Sequence, residues 1–390
     1  MSSPSLIHTT PATTPSSSQP KQWHASLTLD TLLSVLHRTL LNPGLSWLLV
    51  LSLRAQVTPT NDPVFIGSVA YAVLLTALFV LKIVNQRVAH GNPRAVDFAS
   101  EVVVVTGGAS GLGLAIAQMY AMRGASVAVL DVAVLDDEQY EEVFGGQGVG
   151  EGVKYYRCDV GDRKVVEDTR GMIEEELGTP TILINCAAAR INGHPLLSLN
   201  ADAFEKTIRT NLLAGFHAYQ IFLPGMLSTE NGGTIVTVSS VLGQLCPTGL
   251  SDYSASKAGL SALHRTVEAE IRASGQEDQI KMLLVETGQI ATPLFDWVDT
   301  PNSFFAPVLE PVQVAREIVA AVDGGRGGVL RLPAYAKLAN WFVVLPAAVQ
   351  RIARFVSGMD DAVAKGASSQ GQAAAASERA PGGAVDKKRA

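Results

Sequence analysis

Apolar residues in this chain fall into three kinds of run, and each predicts a different environment. The first kind is long and unbroken: residues 64–81 carry no charge over eighteen positions. As a helix that stretch is about 27 Å long, close to the hydrocarbon thickness of a bilayer. A buried core helix is the alternative, but a repeating α/β pattern begins only after Arg94 and is complete without it. Residues 32–53 are also apolar, but His37, Arg38 and Asn42-Pro43-Gly44 interrupt them. They read as a poorer span, or as a re-entrant or interfacial segment. The second kind is short and rich in β-branched residues: 101–106, 126–130, 181–185, 234–239 and 281–286. Such saturated runs predict buried parallel strands. Helical patterns such as 114–123 lie between them, so residues 98–333 predict a Rossmann-like, doubly wound parallel α/β sheet. The third kind is periodic. Leu338, Phe342, Leu345, Val349, Ile352 and Phe355 recur at three- and four-residue steps, flanked or interrupted by Lys337, Arg351 and Arg354. Residues 334–356 therefore predict an amphipathic helix, lying on a membrane surface or packed on the protein's own core.

The ends differ from all three. Fourteen of the first twenty residues are Ser, Thr or Pro. A head over 1–30 of that composition cannot bury enough apolar surface to offset its ordering entropy. It also lacks the basic start and apolar centre of a cleaved secretory signal. The tail over 357–390 is Ala/Gly/Ser/Gln-rich, ends in Lys387-Lys388-Arg389, and is expected to be disordered. Between head and catalytic segment, 31–90 is the expected membrane-anchor region. Lys82, Arg87 and Arg94 follow its second apolar stretch, whereas residues 55–63 contain no Lys or Arg. The positive-inside tendency then puts the C-terminal side in the cytosol. A membrane hairpin with both ends cytosolic satisfies both stretches.

Composition sharpens this picture. Only 17% of the 390 residues are charged, below the usual quarter, which fits a membrane-associated segment. The net charge of −6 argues against a broad nucleic-acid surface. Cys158, Cys186 and Cys246 are too few and too scattered for a disulfide framework or a zinc site, and they suit a reducing compartment.

Directly after the first strand stand Thr106, Gly107, Gly108, Ala109, Ser110, Gly111, Leu112 and Gly113. Glycines allow backbone to turn tightly and approach a pyrophosphate, and the helix that follows presents free N–H groups to that anion. The second strand ends in Asp131, where a carboxylate can accept from adenosine ribose hydroxyls and repel a 2′-phosphate. No Lys or Arg follows it (Val132, Ala133), and Ser110 rather than a base precedes Gly111. The expected cofactor is NAD in preference to NADP. Further along, Tyr253 and Lys257 stand four apart, on one face of a helix. The ammonium is expected to lower the tyrosine pKa toward neutrality. The strand over 234–239 delivers Ser240 to the same carboxyl edge of the sheet.

These motifs, in this order, make residues 101–293 resemble the classical short-chain dehydrogenase/reductase family. Thr106–Gly113 is similar to its T-G-x-x-x-G-x-G cofactor loop. Cys158-Asp159-Val160 is similar to its adenine-contacting motif, with Asp159 at the acidic position. The resemblance implies catalytic roles for Ser240, Tyr253 and Lys257, and for Asn211 as holder of a water in a proton relay. It implies cofactor contacts from Asn185, Ile290 and Thr292, and from Tyr253 and Lys257 as well. Two departures stand out. The family's N-N-A-G is Asn185-Cys186-Ala187-Ala188 here, and its Pro-Gly after the sixth strand is Thr287-Gly288, which predicts a looser loop beyond.

The apolar extension before the catalytic segment narrows the resemblance to the membrane-anchored branch, with retinol dehydrogenases and lipid-droplet 17-beta-hydroxysteroid dehydrogenases. That branch implies an endoplasmic-reticulum or lipid-droplet location, the catalytic part facing the cytosol, a lipophilic alcohol or ketone as substrate, and a homodimer as a further expectation. Phe295, Trp297, Phe304 and Phe305, together with residues 242–250, are the expected substrate walls, or else a lid packed on its own core. Two rivals remain: an NADPH-dependent lipid-ketone reductase, disfavoured by Asp131, and a non-catalytic nucleotide-sensing or lipid-droplet protein, disfavoured by intact Ser240, Tyr253 and Lys257. Dinucleotide folds host many functions, so the fold alone does not choose.

Overall fold

The computed structural model describes residues 28–145, 152–295, 298, 300 and 302–362. Nearly all of the expected head and tail, and Trp297, lie outside the described residues.

Three helices come first: α1 (Leu29–Arg38), α2 (Pro43–Ala55) and α3 (Pro63–His90). The Asn42-Pro43 break that weakens residues 32–53 as a span acts as a helix start. The Asn42 side chain accepts from the Gly44 and Leu45 N–H groups at 2.8 and 3.3 Å, and Pro43 fills the first helical position, where its missing N–H costs nothing. α3 runs on past the uncharged stretch through Lys82, Arg87 and His90. Its 28 residues make it about 42 Å long. α2 and α3 form a hairpin. Val50, Ala72 and Leu75 are buried between them, Trp47 donates to Thr76 Oγ1 at 2.9 Å, and Tyr71 donates to the Leu40 carbonyl at 2.5 Å. Away from this seam α3 is bare: only 11% of its most apolar window is buried.

The remainder is a seven-stranded, all-parallel sheet. Its strands are β1 (Val102–Thr106), β2 (Ser126–Asp131), β3 (Val153–Arg157), β4 (Ile182–Asn185), β5 (Gly233–Ser240), β6 (Ile280–Thr287) and β7 (Gly328–Leu332), in spatial order 3-2-1-4-5-6-7. Connecting helices are α4 (Gly111–Ala121), α5 (Asp137–Phe144), α6 (Arg163–Glu176), α7 (Ala201–Ile208), α8 (Ala214–Ser228), α9 (Leu242–Leu245), α10 (Ser251–Ala273) and α11 (Pro311–Asp323). The β1 run Val-Val-Val-Val-Thr is buried throughout because both faces are covered. Ile116 and Tyr120 of α4 and Ile318 of α11 pack on Val103 and Val105. Ile173 of α6, Phe222 of α8 and Ile271 of α10 join the cluster around Val104 and Leu183 on the other face. The winding direction reverses between β1 and β4, which opens a crevice at their carboxyl ends.

At the opposite edge the sheet is closed by a buried ion pair absent from the sequence expectations. The Arg94 Nη2 donates to both Glu101 oxygens at 2.7 and 2.9 Å, and Nε donates to the Asn231 carbonyl at 2.7 Å. The Arg94 N–H also meets the Gly325 carbonyl at 3.0 Å, so the chain leaving α3 is stitched under β1, β5 and β7.

One expectation is corrected. Residues 334–356 are not one helix but a 3-10 turn (Ala334–Leu338), α12 (Ala339–Val344) and α13 (Ala347–Ser357). Pro346 at the N-cap of α13 separates the last two, since proline cannot continue a helix from within. Ala336 and Ala339 pack inward beside Val241, whereas Trp341, Val344, Ile352, Phe355 and Val356 point outward and are 63–87% exposed.

Candidate active site

The glycine loop leaves β1 at the crevice. Gly107 has φ +67° and Gly111 φ +55°, conformations that disfavour any side chain. A Cβ on Gly113 would lie 2.2 Å from the Gly107 carbonyl oxygen, so the loop and first turn of α4 pack against each other directly. Thr106 Oγ1 accepts from the Cys186 and Ala187 N–H groups at 3.1 and 3.2 Å, tying the loop's root to the end of β4. Ser110 occupies the N-cap of α4 but contributes no side-chain cap. The N–H groups of Gly111, Leu112 and Gly113 are thus left to an outside acceptor, as at any uncapped helix start. Thr292 closes over this turn: a Cβ on Gly111 would meet its Cγ2 at 3.1 Å.

Asp131 ends β2 beside the loop. Its carboxylate accepts from the Ala109 N–H at 3.0 Å and the Ala133 N–H at 3.2 Å, one donor per oxygen, leaving lone pairs on both. No cation is paired with it among the described residues. Asp159, half-buried, accepts from Gly161 at 2.9 Å and lies 3.7 Å from Arg209. Asn185 is buried at the end of β4, and its Nδ2 has no partner. A cradle that a Cβ would fill, free helix-start donors and an orphaned amide donor together fit a dinucleotide: loop and α4 for the pyrophosphate, Asp131 for a ribose, Asn185 and Thr292 deeper in.

Ser240 is the last residue of β5, one position past the expected strand. Its hydroxyl donates to the Thr287 carbonyl and accepts from the Leu242 N–H, both at 3.2 Å, and it lies close enough to Tyr253 to lower the phenol's pKa. Tyr253 and Lys257 lie in the first turns of α10, fully buried, with Lys257 Nζ 5.8 Å from the tyrosine ring centroid. Nζ donates to the Val238 carbonyl at 2.9 Å. Asn211 sits in a π turn, Arg209–Leu213, between α7 and α8. Its Oδ1 accepts from the Ala189 N–H at 2.7 Å and its Nδ2 donates to Ser256 at 3.0 Å. It therefore locks β4's exit to α10 one residue from Lys257. The structure brings Ser240, Tyr253, Lys257 and Asn211 together at one edge with the glycine loop, Asn185 and Thr292. Ile290 is buried and bridges to Leu309, which fixes the segment carrying Thr292.

Two sequence expectations are revised here. Burial pushes the Tyr253 phenol above its ordinary value, with the Ser240 hydroxyl pulling the other way. Burial also disfavours the charged ammonium and brings Lys257 down to about 8. The tyrosine is dry because Phe295 stacks edge-on against it at 5.8 Å, with Ile191 and Leu250 in the same cluster. Nor are the described residues of the loop after β6 loose. Gln289 donates to the Phe295 and Val298 carbonyls at 3.2 and 2.8 Å and accepts from Thr300 at 2.6 Å. It restrains the segment beside Tyr253 despite the missing proline.

The loop after Ser240 is gripped from two sides by residues that sequence reasoning did not single out for the site. Glu286, buried beside Ser239 in the sheet, accepts from Gln244 at 2.9 Å, Arg265 at 2.8 Å and Arg331 at 2.7 Å. Arg354 of α13 donates to the Leu245 and Cys246 carbonyls at 2.8 and 2.9 Å, and Asp360 accepts from the Thr248 N–H at 3.2 Å. Each contact joins residues far apart in sequence, so no local motif announces it.

The sequence profile of the short chain dehydrogenases matches residues 101–302, more than half of the chain, and the chain belongs to that family. It is 28% identical over 304 residues to an uncharacterised oxidoreductase of Saccharomyces cerevisiae, covering 77% of this chain and 89% of that protein. It is 31% identical over 262 residues to epidermal retinol dehydrogenase 2 of Mus musculus, covering 67% and 81%. It is 30% identical over 255 residues to retinol dehydrogenase 10 of Homo sapiens, covering 59% and 74%. The protein is a nicotinamide-dependent oxidoreductase acting on CH–OH groups, in a branch similar to retinol dehydrogenases.

Proposed function

We propose that the protein is a membrane-attached dehydrogenase that uses NAD to interconvert a lipophilic alcohol and its carbonyl compound. The carrying observation is the wall around Tyr253: Phe295, Ile191 and Leu250 buried against it, with Leu242, Leu294 and Val298 packed behind. A site so lined favours an apolar substrate that brings one oxygen. Asp131 supports NAD, because its carboxylate bonds to the loop with no cation paired to it among the described residues to receive a 2′-phosphate. α3 supports insertion in a membrane, for which we propose the endoplasmic reticulum or a lipid droplet, with the catalytic sheet on the cytosolic side.

When bound, the nicotinamide supplies or receives the hydride. The chain's own groups do the rest. Ser240 holds the substrate oxygen through its hydroxyl and steadies charge developing there. Tyr253 takes the proton from that oxygen in oxidation and returns it in reduction. Lys257 is held beside the phenol by α10, and Asn211 keeps that helix registered on β4. The apolar cluster keeps bulk water from the reacting oxygen.

The test is a screen of lipophilic alcohols with membranes carrying the full chain, following NADH. NADH formation with bilayer-soluble alcohols, and a lower rate with NADP, is the expected result. Higher turnover with NADP would overturn the cofactor assignment. Turnover confined to small water-soluble alcohols would overturn the substrate class, and full extraction into alkaline carbonate would overturn the insertion of α3.

A further inference from the structure

Where the apolar part of α3 gives way to the catalytic sheet, a cleft of about 310 Å³ lies between that helix and the turn before β7. Phe79 and Ile83 form an apolar wall; Lys82, Arg87 and Arg326 bring positive charge, and the backbone of Gly325 and Gly327 closes the far side. No lining residue is acidic. The walls are tied to each other: Gln86 donates to the Gly327 carbonyl at 2.7 Å, and the Arg94 N–H to that of Gly325 at 3.0 Å. His90, also in the lining, is engaged with Glu268 at 2.8 Å, and Asp278 nearby accepts from Asn92 at 2.6 Å. Lys82, Arg87 and Arg326 are exposed, and none has a carboxylate within ion-pair distance among the described residues.

A cation in the last turn of a helix complements the helix dipole, which accounts for Arg87. Arg326 stands just past the C-cap of α11 and complements that helix's dipole in the same way. Neither dipole accounts for the two guanidinium groups, brought by different elements, lining one cleft. Three cations without a carboxylate partner among the described residues, beside the apolar side chains of Phe79 and Ile83, match an amphiphile that carries a phosphate. The volume lies in the ~300–1,000 Å³ range of small-molecule sites, and basic clefts beside spanning helices suit anionic headgroups. Guanidinium groups add paired donors for phosphate oxygens.

We propose that this cleft binds the phosphate-bearing headgroup of an anionic lipid, its acyl chain lying along Phe79 and Ile83. The proposal takes its lipid source from the membrane insertion of α3, but the binding chemistry is independent of it.

The experiment uses the full chain in neutral detergent, melted alone, with dioctanoyl phosphatidic acid, with dioctanoyl phosphatidylcholine, and with inorganic phosphate. The second protein is the triple variant Lys82→Gln, Arg87→Gln, Arg326→Gln, none of which touches the active site. Phosphatidic acid is expected to raise the melting temperature by a few degrees, phosphatidylcholine and phosphate to leave it unchanged. The variant is expected to lose the response while melting normally without lipid and keeping its alcohol oxidation. An equal response to inorganic phosphate would overturn the lipid assignment in favour of a free-anion site. No response, or one that survives in the variant, would overturn the site itself. A protein that answers phosphatidic acid yet extracts into carbonate would refute the insertion of α3 and leave the headgroup site standing.

Discussion

β1 and α3 are both strongly apolar segments, and they end in opposite surroundings. Every residue of β1 is buried, whereas Leu74, Leu78 and Leu81 of α3 are each more than half exposed. β1 hands its backbone groups to β2 and β4 and its side chains to helices on both faces. α3 satisfies its backbone internally; its last turns reach the catalytic part through Gln86 and His90, but its apolar stretch packs on α2 along one seam. Apolar residues alone do not say where a segment goes. What separates the two is whether the rest of the chain can cover them, and for the apolar stretch of α3 the described residues provide little beyond the seam with α2. The catalytic edge belongs with β1: Tyr253, Lys257 and Ser240 are as dry as the core, and their chemistry depends on that.

The largest expected effect tests that dry edge. Tyr253→Phe keeps the ring and its contact with Phe295 but removes the acid–base oxygen. Turnover is expected to fall by roughly 10²–10⁴-fold, while NADH binding, measured by fluorescence titration, stays near the unsubstituted value because the glycine loop is intact. A variant that turns over at the original rate would make this constellation a relic. Next is the seam between the regions. Arg94→Met strands the buried Glu101 carboxylate and is expected to cost about 3–5 kcal/mol in denaturant unfolding; adding Glu101→Gln should recover part of that. Third, Ile184→Ala in β4, fully buried, is expected to cost about 2–5 kcal/mol.

The central strands were readable because they are covered on both faces. β3 and β7 were not foreseen, and they are the two edges of the sheet. In β3, exposed Lys154 and Arg157 each follow a buried residue, Val153 and Tyr156, so the run looks polar. β7 is five residues long and mostly half-buried. The glycine loop, Asp131 and the Ser240–Tyr253–Lys257 set could be placed because each follows a strand end or a helix face. Gln289, Glu286, Arg354 and Arg94 could not, since their partners lie far off in sequence and only the fold brings them near. The tyrosine's direction of shift was misjudged for a related reason. Spacing reports the ammonium four residues on, but not Phe295 closing over the ring.

Lys257 turns burial into a pH effect of moderate size. Its folded pKa of about 8 lies below the ordinary ~10.4. Between those values the unfolded chain binds more protons than the folded one, so this group's contribution to stability rises as pH climbs from about 8 to about 10. Lys257→Met is expected to remove that rise, read as the difference between urea midpoints at the two pH values in both proteins. A rise of equal size in the variant would place its origin in another group.

The smallest expected effect is the one that most sharpens the comparison. Leu78→Ala deletes as much apolar side chain as a core substitution does, and Leu78 is 53% exposed. If α3 has no protein cover at that position, no cavity forms and no packed neighbour is lost. Unfolding of the catalytic sheet in detergent should then shift by no more than about 0.5 kcal/mol, against the several expected for Ile184→Ala. The loss should surface instead where lipid is the partner: replacing Leu74, Leu78 and Leu81 together by Ser is expected to move the chain from the carbonate-resistant pellet toward the soluble fraction, with turnover of a small alcohol unchanged. A Leu78→Ala cost near that of Ile184→Ala would mean that α3 is covered by protein after all, through a second copy or a partner, and that its likeness to β1 extends to its surroundings.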